Sequence, residues 1–151
     1  MEPKKENFLK EVFRFSLIAI LIVVPIRIFI AQPFVVSGAS MQPNFDSSEY
    51  LIVDQLSYRL SKPRRADVVI FKYPKDTSIF FIKRVIGLPN ETVKMDSGEL
   101  TIKNTDFPEG FGVEEPYIKE SIEDTFIVTL KDDEYFVLGD NRPDSSDSRI
   151  W

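Results

Sequence analysis

A chain of 151 residues, 43% hydrophobic and 13% aromatic, is long enough for one modest domain with a real core and an anchor. A net charge of −5 argues against a nucleic-acid partner, which calls for a basic footprint. The absence of cysteine excludes disulfides, thiol nucleophiles and cysteine-ligated metals, and the absence of histidine excludes Ser-His-Asp triads, Cys-His dyads and H-E-x-x-H zinc sites.

The first element in chain order is an apolar run from Phe15 to Ala31, broken by Pro25 and Arg27. As a helix rising ~1.5 Å per residue it reaches roughly 26 Å, slightly short of a ~30 Å hydrocarbon layer. Arg27 lies near the far end, where its side chain can snorkel to the interface. Lys4, Lys5, Lys10 and Arg14 precede the run, and after Arg27 no Lys or Arg occurs until Arg59. The positive-inside rule then predicts residues 1–14 as a cytoplasmic tail, 15–31 as a transmembrane anchor and 32–151 as a domain outside the membrane. Two other readings of the run stand beside this one. It could be a cleaved secretory leader ending before Ser40, or a buried core helix.

Beyond Pro33 the texture changes to short β-branched and aromatic runs separated by turn residues. Strands are predicted at Phe34–Val36, Tyr50–Val53, Asp67–Phe71, Ile79–Ile86, Thr92–Met95, Leu100–Ile102, Phe126–Leu130 and Tyr135–Leu138. A helical turn is predicted at Gln55–Leu60. Asp96-Ser97-Gly98-Glu99 reads as a hairpin turn, and Phe107–Pro116, rich in Pro, Gly and Glu, as a surface loop. The fold class predicted is mainly β: an N-terminal transmembrane helix followed by an antiparallel β-sheet catalytic domain.

With histidine absent, any general base must be Lys, Asp, Glu, Tyr or a terminal amine. Asp96-Ser97-Gly98 matches the short aspartic-protease signature, but that chemistry needs two carboxylates sharing a proton and no second copy exists. Asn90-Glu91-Thr92 is a glycosylation sequon, meaningful only in a eukaryotic secretory pathway. No S-x-x-K tetrad occurs. Three stretches carry more. In Ser37-Gly38-Ala39-Ser40-Met41-Gln42-Pro43, small residues around a serine let a carbonyl approach and leave backbone N–H groups for an oxyanion; the bland alternative is a solvated linker. In Ile79–Ile86, alternation puts Phe81, Lys83 and Val85 on one face, where desolvation would lower the lysine pKa toward that of a base; the alternative is an exposed strand lysine. Gly139–Arg149 is a dense polar loop whose arginines fit poorly with a calcium cage; the alternative is a solvated turn.

Taken in this order, Ser37–Pro43, Arg65-Ala66-Asp67-Val68-Val69-Ile70-Phe71, Phe81-Ile82-Lys83-Arg84-Val85-Ile86-Gly87-Leu88-Pro89 and the Gly139–Trp151 loop resemble the type I signal peptidases, in their smaller form without a large inserted domain. Ala66 departs from the glycine usual there. The resemblance implies a membrane-bound serine endopeptidase that removes signal peptides from secreted precursors. It implies Ser40 as nucleophile, Lys83 as base and the Ser40 N–H as oxyanion donor, with Gly38 standing where some members supply a serine hydroxyl. It also implies supporting roles for Ser145, which would orient the lysine, for the Asp147–Arg149 ion pair and for Asp140. Precursors would dock as an extended strand, with Phe34, Val36, Ser37, Met41, Ile70, Phe81 and Ile82 as substrate-binding residues. The partners implied are secretory preproteins and membrane lipid, the location the bacterial cytoplasmic membrane, and no metal or cofactor is expected. The family continues beyond the Ser-Arg-x-Trp segment with a further strand, so a chain ending at Trp151 implies a domain truncated at its C-terminus. That leaves a second reading, a catalytically inactive, membrane-tethered binder of extended peptides.

Overall fold

A computed structural model describes residues 5–27 and 31–151. The chain divides into two compact units, residues 1–34 with 51–62, and residues 35–50 with 63–151.

The first unit opens with helix α1, Lys5–Pro25. The helix starts ten positions before Phe15 and carries Lys10, Glu11 and Arg14 within it, and its uncharged part, from Phe15 to Pro25, covers only roughly 16 Å. Among the described residues no helix is long and apolar enough to cross a membrane. Residues 28–30, near the end of the predicted span, lie outside the described residues. Ala31 begins strand β1, Ala31–Val35, which pairs with β2, Tyr50–Asp54. Asp54 then accepts the backbone N–H of Leu56 at 2.9 Å and of Ser57 at 3.0 Å, which starts the short helix α2, Ser57–Leu60. A carboxylate in that position satisfies amides that have no partner inside the helix.

The second unit is built from two antiparallel sheets. One has the order β3-β4-β9, from Val68–Tyr73, Asp76–Gly87 and Phe136–Leu138. The other has the order β7-β6-β5-β8, from Phe111–Gly112, Glu99–Lys103, Thr92–Asp96 and Phe126–Thr129. The β5–β6 hairpin closes at Ser97 and Gly98, with φ of 52° and 88°. Two consecutive positive φ values make the tight turn that matches the strand twist, and glycine takes the second at no steric cost. Ile86, Phe136 and Leu138 from the first sheet meet Val93, Met95, Leu100 and Ile102 from the second in a buried cluster. Each such side chain contributes about 1.5–3 kcal/mol by leaving water.

The stretch Phe107–Pro116 lies at the surface, with no residue buried, and still makes specific contacts. It contains β7, Phe111 and Val113 pack against the core, and Glu115 pairs with buried Arg142. Its prolines and glycines mark turns, but its apolar residues find the sheet edge.

Candidate active site

The site lies in the second unit, where the Ser37–Pro43 turn, strand β4 and the Gly139–Arg149 loop converge. In β4, alternation sets Phe81, Lys83 and Val85 on one face and Ile82 and Arg84 on the other. Lys83 sits opposite Val69 in the register. The lysine is 3% exposed. Its Nζ lies 2.7 Å from Ser40 Oγ, 2.9 Å from the Ile82 carbonyl and 5.1 Å from the centre of the Phe81 ring. Burial pushes the Lys83 amine below the ordinary lysine range, and the more distant carboxylates of Asp147 and Asp140 only partly oppose it.

Ser40 is held by its backbone. The Asn141 N–H donates to the Ser40 carbonyl at 3.0 Å, and the Asn141 side-chain amide donates to the Ala39 carbonyl at 3.1 Å. Gln42 N–H donates to the same Ala39 carbonyl at 3.0 Å, and Met41, 1% exposed, anchors the turn from below. Among the described residues the Ser40 N–H makes no hydrogen bond, which leaves it available to an oxyanion.

Behind the turn stands Gly139. A Cβ there would fall 2.5 Å from the Ser40 carbonyl and collide with Ser145 Oγ, so only glycine permits this approach. Both Gly139 backbone groups are tied. Its N–H donates to Asp147 Oδ2 at 3.0 Å, and its carbonyl accepts from Arg142 Nε at 3.0 Å. Asp147, fully buried, takes Arg149 in bidentate fashion at 2.7 and 2.9 Å. Burial alone would raise the Asp147 carboxyl, but the Arg149 and Gly139 hydrogen bonds outweigh it and hold the group below its ordinary value. Asp140 is 1% exposed and receives Arg84 at 2.8 and 2.5 Å and Asn44 at 2.9 Å. Arg84 stacks over the Tyr117 ring at 4.1 Å.

Ser145 is buried beside Gly139, and its hydroxyl makes no hydrogen bond to Lys83. The Lys83 amine already has Ser40 Oγ and the Ile82 carbonyl. Of the residues expected to bind substrate, Ile70 pairs with Ile82 on the face of the sheet opposite Phe81 and Lys83. Val36 is buried and Ser37 exposed at the approach to Ser40, whereas Phe34 belongs to the first unit. Asn44, Glu115, Asn141 and Arg142 were not singled out by sequence reasoning. Polar residues in a loop carry no signal of burial, although two arginines among acidic residues hint at ion pairs.

A serine hydroxyl against a buried amine, in a chain without histidine, has the chemistry of a serine-type hydrolase whose base is an amine. The profile of the signal peptidase family, peptidase S26, matches residues 9–151. A probable signal peptidase I-1 of Synechocystis is 31% identical over 99% of this chain and 77% of its own length. A signal peptidase I P of Bacillus subtilis subsp. natto is 34% identical over 97% of this chain and 81% of its own. A signal peptidase I from Enterococcus faecalis, known from a crystal structure, is 33% identical over 59% of this chain and 86% of its own, with a TM-score of 0.49. The chain belongs to the signal peptidase (peptidase S26) family of serine endopeptidases, which remove signal peptides from secretory preproteins.

Proposed function

We propose that Ser40 is the nucleophile and Lys83 the general base of a membrane-bound signal peptidase. The observation that carries this reading is the 2.7 Å approach of a buried, pKa-depressed amine to the Ser40 hydroxyl. Neutral Lys83 takes the Ser40 proton as Oγ attacks the scissile carbonyl. The negative charge that develops on the carbonyl oxygen is met by the Ser40 N–H. The protonated amine then gives its proton to the leaving nitrogen, which leaves an acyl-enzyme on Ser40. Neutral Lys83 next activates water for deacylation. The residues before the cut lie as an added strand beside Val36–Ser37 and Phe81–Lys83. Asp147, Arg149 and Asp140 act on the loop that holds Ser40, and Ser145 lies in contact range of Gly139.

The N-terminal segment holds the chain at the bacterial cytoplasmic membrane, with the tail inside and the peptidase domain outside. Support comes from the lopsided basic residues and from the exposed apolar side chains of α1, among them Phe13, Leu17, Ile20 and Leu21. The test is cleavage of a signal-peptide-bearing precursor by the full chain in membranes. Wild type releases the mature protein and Ser40→Ala does not; release by the Ser40→Ala protein would refute the assignment.

A further inference from the structure

Beside the Ser40 turn lies a cleft of about 460 Å³ lined by Gln42, Pro43, Asp46, Lys119, Glu120 and Asn141, with Asp140 among them. Its walls are continuous with the groups that hold the serine. Gln42 N–H and the Asn141 amide both donate to the Ala39 carbonyl, and Asn141 N–H donates to that of Ser40. Along the chain, Val36 and Ser37 lie on one side of Ser40, and Gln42 and Pro43 lie on the other. If the residues before the cut occupy the Val36–Ser37 and Phe81–Lys83 side, the residues after it leave over Gln42 and Pro43 into this cleft.

The cleft also has a charge character. Asp140, at its base, is committed to Arg84 and Asn44 and adds no free charge. Asp46 is exposed; its carboxylate accepts the neutral Gln42 amide at 2.8 Å and its backbone N–H donates to Glu49 Oε2 at 3.1 Å, while Lys119 and Glu120 form no ion pair among the described residues. Two carboxylates therefore face one ammonium across solvent.

We infer that this cleft binds the first residues of the mature chain, and that Asp46 and Glu120 make it disfavour acidic side chains there. This rests on the proposed function, since it requires a peptide cut at Ser40. The contacts are exposed, so the discrimination is modest, about three- to fivefold.

The test uses the full chain in detergent with three precursors that differ only at the second to fourth residues after the cut: all Ser, all Lys or all Glu. The Glu precursor is expected to show a KM about three- to fivefold above that of the Lys precursor, with the same kcat. Added salt should shrink the gap. In Asp46→Asn/Glu120→Gln the Glu-to-Lys ratio of KM should approach one, and in Lys119→Gln it should widen. Equal KM values in wild type, or a ratio unchanged in the double variant, would overturn the inference while leaving cleavage at Ser40 intact. If none of the precursors is cut, the proposed function fails and the inference falls with it.

Discussion

Lys83 shows how one residue's surroundings decide its chemistry. A lysine on an open strand stays protonated at neutral pH, with a pKa near ~10.4. Here the amine is enclosed and its pKa lowered, chiefly by burial, while Asp147 and Asp140 pull the other way. The folded state therefore releases the proton at a lower pH than the unfolded chain. Between the two pKa values the unfolded chain binds more protons, so this site makes stability rise with pH across that window; below the folded pKa the penalty is constant. Cleavage rate should rise with pH through the same lowered pKa. Lys83→Met keeps the bulk and removes the charge, so it should be folded, no less stable at neutral pH by chemical denaturation, and roughly a hundred- to ten-thousand-fold less active. Lys83→Arg should be equally inactive, because guanidinium keeps its proton in this range. Substantial turnover by either variant would make Lys83 an ordinary strand lysine.

The loop elements carry more of the site than their composition suggests. Arg142 and Glu115 form an ion pair with side chains 2% and 8% exposed, and Arg142 also holds the Gly139 carbonyl. Removing one partner of such a pair leaves a buried charge uncompensated, which costs about 3–5 kcal/mol. Glu115→Ala should lower the denaturation midpoint accordingly, whereas Glu114→Ala, at an exposed neighbour, should change little. Equal midpoints for the two would show that the pair is not structural. The strands were readable from the sequence because alternation and turn residues are local signals. The Asp96–Glu99 hairpin and the burial face of Phe81, Lys83 and Val85 follow from them. The ion pair made by the Phe107–Pro116 stretch was not legible because its partner, Arg142, is distant in sequence, and pairing of that kind leaves no periodicity. The same holds for Asn44 and Asn141, whose partners Asp140 and Ala39 lie about a hundred positions away. Hydropathy places the apolar run but not the start of α1, because helix continues readily through Lys10, Glu11 and Arg14.

At the scale of the whole molecule, the proposed anchoring segment precedes the β domain that holds Ser40 and Lys83. In spheroplasts, added protease should digest the domain and leave it undigested only when the membrane is sealed the other way round; protection in intact spheroplasts would contradict the outward orientation. Attachment as proposed would raise the local concentration of a substrate held in the same bilayer. The central claim, however, is that Ser40 becomes acylated with Lys83 as its base. It is tested most directly by exposing the full chain to a serine-reactive acylating inhibitor and mapping the adduct by peptide mass spectrometry. The account predicts a single adduct on the peptide containing Ser40, formed faster as pH rises and absent in both Ser40→Ala and Lys83→Arg. An adduct on another residue, or one formed at an undiminished rate in Lys83→Arg, would contradict it.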